Sequence, residues 1–174
     1  MSPQDSHRLF TNLRPLPFYQ SDIEVRGKTY KSPRLQCWMA NPEMKSKAEL
    51  YTREDPVPWS NDMLAIKNEL EEMFEFGFDY VLMNLYRDGK DYISLHSDRE
   101  AISNGKNVIA SLSLGASRRF ILKNNKDPTK KHEFLLVSGS LLVMAGTTQQ
   151  HWKHTVPKQL KVNDPRLNLT FRKS

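Results

Sequence analysis

This sequence predicts a mainly β fold of the α+β class, most simply a double-stranded β-helix (jelly roll) backed by one helix. Two observations predict it. From Tyr80 onward, short runs of alternating apolar and polar residues are separated by "RDGKD", "SNGKN" and "NNKDPTKK", whose Gly, Asn, Asp and Pro content marks turns. Ahead of them, one stretch, "PWSNDMLAIKNELEEMFEFG", repeats apolar residues at helical spacing. Many short strands with a single backing helix suit two packed sheets.

Taken in order, the first part reads as irregular and hairpin structure, with "VRGKTYKSP" as a hairpin. The helix is expected within 57–77. Met63, Ile66, Leu70, Met73 and Phe74 share its buried face, Ser60 or Asn61 caps its start, and Gly77 ends it. The strand series fills about 80–174. In "YVLMNLYRDG", period-two alternation puts Asn84 and Tyr86 on one face and Val81, Met83 and Leu85 on the other. In "RLNLTFR" it puts Arg166, Asn168, Thr170 and Arg172 opposite Leu167, Leu169 and Phe171. Each strand thus offers an apolar face to a core and a polar face to a site. At 174 residues, with no repeat or low-complexity tract, the chain suits one domain.

The chemistry-bearing residues are His96 and Asp98 in "LHSD" and His154 in "HWKHTVPK". Two histidines and one carboxylate form the facial triad of non-haem Fe(II) oxygenases, which leaves coordination positions open for a chelating co-substrate and dioxygen. On an extended strand, His96 and Asp98 point to the same face, and His154 must come from a neighbouring strand. An isolated "HSD" is by default an ordinary loop; its coupling to His154 and "RLNLTFR" is what favours a metal. His151 is an alternative ligand by spacing alone, and His7 and His132 have no partner pattern. A buried arginine calls for a complementary anion, ideally a carboxylate held by two hydrogen bonds. Alternation alone leaves Arg166 and Arg172 open between that role and solvation.

The blocks "NLYRDGKDYISLHSD", "IASLSLGASRRF", "GSLLVMAGTTQQHWKHTVPK" and "PRLNLTFR" resemble, in order, the AlkB family of Fe(II)- and 2-oxoglutarate-dependent dioxygenases, and nearest to them the AlkB homologues that reverse N-alkylation of nucleic-acid bases. The resemblance implies a β-helix core under an N-terminal nucleotide-recognition lid, here about residues 20–60. It implies Fe(II) on His96, Asp98 and His154, and 2-oxoglutarate held by Asn84, Tyr86, Arg166, Asn168 and Arg172, with Arg119 as the fallback for the distal carboxylate. Dioxygen is the second co-substrate and ascorbate a supporting reductant. It makes "HTVP" the distal ligand and His151 a bystander. It places Trp38 or Met39, after "PRLQC", at the base-stacking position, with Tyr51 in the same region. Relatives often read "HxDDE" where this chain reads "HSDRE"; Glu100 is the retained acid that can meet the exocyclic amino group, and Arg99 replaces an acid. Relatives that invade duplexes carry an aromatic wedge where this chain offers Arg26, which implies a preference for single strands.

The implied reaction is oxidative demethylation of bases such as 1-methyladenine and 3-methylcytosine in DNA or RNA, releasing formaldehyde, succinate and carbon dioxide. Two other readings compete: an AlkB-like hydroxylase of protein or a small molecule, and a non-catalytic nucleic-acid binder. The intact triad argues against the binder. A formal charge of +6 and a pI near 9.4 favour a polyanionic partner. Lys153, Lys158, Arg118 and Arg119 are candidate phosphate contacts near the mouth of the site, most other lysines being a solvated face. One cysteine, Cys37, forms no internal disulfide and suits an intracellular protein. No segment has the apolar length of a membrane helix, so no membrane partner is expected, and a monomer is.

Overall fold

The computed structural model describes residues 1–25, 27–41, 44, 55–98 and 108–173. Helix α1 (Pro3–Leu13) opens it, followed by the hairpin β1 (Asp22–Val25) and β2 (Lys28–Lys31), then β3 (Leu35–Ala40) and α2 (Asn61–Phe74). Eight strands complete the fold: β4 (Tyr80–Tyr86), β5 (Ile93–His96), β6 (Val108–Gly115), β7 (Arg118–Asn124), β8 (Lys131–Leu136), β9 (Leu141–Ala145), β10 (Trp152–Val156) and β11 (Arg166–Arg172). A short α3 (Thr148–His151) leads directly into β10.

The strands form a five-stranded sheet, ordered β3-β4-β11-β6-β9, and a four-stranded sheet, ordered β5-β10-β7-β8, with the β1–β2 hairpin separate. All pairings between these strands are antiparallel; β3–β4 and β7–β8 pair as sequence neighbours, and every other pair of consecutive strands from β4 to β11 is split between the two sheets, as in a jelly roll. Two cores result. Leu9, Leu13, Met63 and Leu70 of the helices pack on Met83, Leu112, Leu169 and Phe171 from the outer face of the larger sheet. Between the sheets lies a smaller core of Tyr86, Ile109, Phe120, Leu136, Met144 and Val156. Helices cover one face of the larger sheet, so its other face is left to build a site.

Sequence reasoning found α2 and missed α1. Ser60 caps α2, its hydroxyl accepting from the Met63 amide at 3.3 Å. The helix stops at Glu75, in the left-handed region at φ +48°, two residues before the expected Gly77. Met73, expected on the buried face, is 65% exposed. Ser2 caps α1 by accepting from Asp5 N at 3.1 Å, with Pro3 in the first turn. That Ser-Pro-x-Asp start was the available signal. β4 and β5 are joined by a turn clamped at Gly89: its amide donates to Val162 O, Gln159 N donates to Gly89 O, and a Cβ there would lie 1.8 Å from Gln159 O. This clamp ties the approach to β5 to the loop that leads into β11.

Candidate active site

The inner face of the larger sheet follows from its register. Asn168 lies opposite Asn84 on one side and Ser113 on the other, and Thr170 lies between Leu82 and Ser111. Arg166 pairs with Tyr86, and Arg172 with Tyr80. The alternation read in "RLNLTFR" and "YVLMNLY" therefore gives one continuous polar wall. The smaller sheet faces it with His96 on β5, directly opposite His154 on β10.

His96, Asp98 and His154 each offer one ligand atom, all within 4.8 Å of one another. Asp98 Oδ1 is 3.5 Å from His96 Nε2, and Oδ2 is 3.6 Å from His154 Nε2. Donors bound about 2.1 Å from one ion at right angles sit about 3 Å apart, so the cluster fits a single metal. His96 Nδ1 donates to Ser94 O at 2.8 Å, which leaves Nε2 with its lone pair toward the cluster. Asp98 lies beyond the end of β5, so the expectation that His96 and Asp98 share one strand face is corrected. The chain leaves the strand and brings the carboxylate back, and Gln149 fixes the turn: its Oε1 accepts from the Asp98 amide at 2.9 Å while its Nε2 donates to Met144 Sδ. Gln149 belongs to α3, which leads directly into β10 and its His154, so one buried side chain joins both ligand segments.

Burial alone would raise the Asp98 carboxyl. The Arg172 guanidinium, 3.1 Å from Oδ1, together with both histidines, instead holds it well below the usual carboxylate range. Burial pushes His154 down to about 4 against the pull of Asp98, and His96 and Arg172 add to the lowering. At neutral pH the cluster is thus one carboxylate and a neutral buried imidazole, the protonation states a divalent cation binds.

The cavity beside the cluster is lined by Asn84, Tyr86, Ser111, Asn168, Thr170 and Arg172, and closed by Ile93, Phe120, Met144 and Val156. Asn84 is oriented by its neighbours: its Oδ1 accepts from Arg34 Nε at 2.8 Å and Gln36 Nε2 at 3.3 Å, which leaves its amide group as a donor. Asn168 Nδ2 donates to Ser111 Oγ and Leu112 O. Arg166 is wholly buried against the Tyr86 ring, 5.3 Å from its centroid, and burial lowers its pKa to about 10. Its Nη2 donates to Ser113 Oγ, and its Nε and Nη1 have no hydrogen-bond partner among the described residues. A buried cation with two open donors has the chemistry to pair with an anion. Arg118 is also buried on Tyr86, yet its Nη1 and Nη2 donate to the carbonyls of Asp88, Asp91 and Pro157, which leaves only its Nε without a hydrogen-bond partner among the described residues. Arg119, the expected fallback, is exposed and paired with Glu133.

Not every predicted residue comes to the site. Met39 is on the opposite face of β3, in the helix-facing core with Met63 and Val81, which corrects its expected stacking role. Trp38 is on the inner face, in register with Leu82 and hence with Thr170, but only 1% exposed and edge-on to Tyr80. Arg26, Tyr51, Arg99 and Glu100 lie outside the described residues. His151 is exposed on α3, away from the three-residue cluster. His132 contacts Trp152, two residues before His154, with ring centroids 5.1 Å apart. Sequence reasoning missed Arg34, Gln36, Ser111, Ser113 and Gln149, whose partners come from distant strands. Among the described residues no helix is long and apolar enough to cross a membrane.

Comparison with known proteins agrees with this geometry. Residues 1–172 match the family model described as 2OG-Fe(II) oxygenase superfamily. The bovine (Bos taurus) "Alpha-ketoglutarate-dependent dioxygenase alkB homolog 3" is 38% identical across 91% of this chain and 58% of its own length. The human (Homo sapiens) protein of that name is 37% identical across 83% of this chain and 52% of its own. The "DNA oxidative demethylase ALKBH2" of Arabidopsis thaliana is 33% identical across 97% of this chain and 62% of its own. The chain thus spans about half to three-fifths of the length of these curated relatives. Among solved structures, OsALKBH1 shares the fold with a TM-score of 0.69 at 17% identity, over 99% of this chain and 93% of that one.

Proposed function

We propose, because this chain belongs to the 2OG-Fe(II) oxygenase superfamily, that it is an Fe(II)- and 2-oxoglutarate-dependent dioxygenase that removes N-alkyl groups from nucleic-acid bases. One observation carries the reading: the His96–Asp98–His154 cluster faces the polar wall that carries a buried Arg166, whose Nε and Nη1 have no hydrogen-bond partner among the described residues. Bound Fe(II) and 2-oxoglutarate would supply dioxygen-driven hydroxylation of an N-methyl carbon, with succinate, carbon dioxide and formaldehyde as products and ascorbate in support.

The chain's own residues hold the reactants. His96, Asp98 and His154 hold the metal, and Arg172 keeps Asp98 anionic. Arg166 takes the distal carboxylate of the co-substrate, with Tyr86 beside it; Asn84 donates along its length, and Asn168, whose amide is held by Ser111 and Leu112, lines the same wall. Phe120, Met144 and Val156 exclude water from the far wall. Substrates are bases such as 1-methyladenine and 3-methylcytosine, whose positive charge and lost pairing make them the easiest to extrude. Glu100 and Arg99, adjacent to the metal cluster in sequence, meet the base, with Tyr51 and Arg26 on the strand. Trp38 supports this wall through Tyr80. Single strands are preferred, since Arg26 provides no apolar wedge. The names of the relatives above support nucleic acid as the substrate class.

The test is release of succinate and formaldehyde from methylated single-stranded DNA, methylated RNA and a methylated peptide side by side. Formaldehyde release from an oligonucleotide supports the reading. Peptide turnover that outpaces every oligonucleotide overturns it in favour of protein hydroxylation.

A further inference from the structure

The outer face of the four-stranded sheet carries charge that the catalytic reading leaves unused. Lys153 of β10 is in register with Lys123 of β7, which is in register with Lys131 of β8. Directly opposed residues share a sheet face with Cβ atoms about 4.5–5.5 Å apart, so three ammonium groups stand side by side on a line roughly 10 Å long. Like charges so placed repel one another. Among the described residues, none of the three makes an ion pair. Glu133, one row away, is held by Nε and Nη2 of Arg119.

The row is fixed relative to the site. Lys153 precedes His154 and points the other way, because side chains alternate along a strand. The turn after β7 is tied to α3 through Asn125, whose amide donates to His151 O and whose side chain donates to Gln150 O, both at 2.8 Å. The lysines thus begin directly behind the second histidine. An evenly spaced line of point charges suits a polymer with one negative charge per repeat. The geometry points to a backbone track: Lys153, Lys123 and Lys131 bind consecutive phosphates of a single-stranded nucleic acid whose target base occupies the cavity. The inference rests on nucleic acid being the substrate class.

The test is the salt dependence of binding to an unmethylated 15-nucleotide single strand, by fluorescence anisotropy between 50 and 200 mM NaCl. Each phosphate contact on a single strand contributes about 0.7 to the slope of log affinity against log salt, so K123Q/K131Q/K153Q should flatten the slope by about 2. Across that range the parent should therefore lose roughly 20-fold more affinity than the variant. Lysine-to-arginine changes at the three positions should keep the parent slope, and K131Q alone should remove about a third of the effect. The triple glutamine variant should unfold no earlier than the parent, because it removes like charges that face one another. An unchanged slope in the triple variant, or in K131Q should the triple variant fail to fold, overturns the track. So does row-dependent binding to phosphatidylserine vesicles without an effect on oligonucleotides. An unchanged slope with formaldehyde still released removes the track alone; a parent that binds no oligonucleotide removes the substrate class as well.

Discussion

Replacing Arg166 by methionine should produce two effects of opposite sign. Burial holds the Arg166 guanidinium at about 10, below its ordinary value, and so disfavours the folded, co-substrate-free protein by on the order of 3 kcal/mol. Methionine removes that penalty and loses one hydrogen bond to Ser113, which contributes about 1 kcal/mol. The variant should therefore gain about 1–2 kcal/mol, read as a rise of roughly 2–4 °C per kcal/mol in thermal midpoint for a chain of this size. The co-substrate moves the other way. Losing a buried charge-assisted pair costs about 2–5 kcal/mol, a roughly 30-fold to several thousand-fold higher 2-oxoglutarate requirement. Urea titration of the co-substrate-free protein reads the first effect, and succinate release against 2-oxoglutarate concentration the second. Arg118→Met is the contrast: three carbonyl acceptors lose their donor, so stability should fall while the co-substrate requirement stays within a few-fold. A destabilised Arg166→Met variant with an unchanged 2-oxoglutarate requirement would refute the reasoning.

Alanine at His96, Asp98 or His154 should each abolish turnover and leave the circular dichroism spectrum intact, since none belongs to a hydrophobic core cluster; substantial turnover in all three sinks the metal assignment. The folded value of His154, about 4, lies below the ordinary 6.5, so the unfolded chain binds that proton more readily. Urea stability of the metal-free protein should fall as pH drops from about 6.5 toward 4, with Asp98 adding to the loss only below that window, and His154→Leu should flatten the first phase. Gln149→Leu keeps the volume and removes the acceptor of the Asp98 amide, so metal affinity measured by competition with a chelator should fall about tenfold or more; an unchanged affinity would leave Gln149 a packing residue. Gly89→Ala forces the Gln159 carbonyl aside and should destabilise by about 1–3 kcal/mol, read by urea denaturation.

How legible each part was depends on what sets it. β4 and β11 could be read because each has one apolar and one polar face, so period-two alternation assigns every side chain, Arg166 and Asn84 included. β3 could not. Both faces of "LQCWMA" are buried, so the sequence does not say that Cys37 and Met39 face the helices while Gln36 and Trp38 face the site. Asp98 escaped the strand rule because a hydrogen bond from a residue 51 positions away, Gln149, shapes the turn that carries it. The supporting residues were illegible for the same reason: Arg34, Gln36 and Ser113 find their partners 48 to 53 positions away. α1 went unread although its cap was written in the sequence, because the search for periodicity passed over an 11-residue segment with only two buried leucines.

The two halves of the site differ in what the fold dictates. The co-substrate half is built from central strands, where a buried cation must meet an anion, so chemistry and register together fix which residues serve. In the proposed reading the substrate half includes β3, an edge strand buried on both faces, so alternation alone does not pick out which of its side chains serve the site. Trp38 shows the consequence. As a 1% exposed ring wedged against Tyr80, it stabilises the wall whether or not a base ever reaches it, and truncation to alanine would open a cavity worth about 3–5 kcal/mol. Loss of activity in that variant would therefore report packing as readily as stacking. Nucleic-acid binding is better tested at residues whose removal leaves the wall standing, and the exposed Lys131 and Lys153 of the lysine row meet that condition because neither belongs to a core cluster.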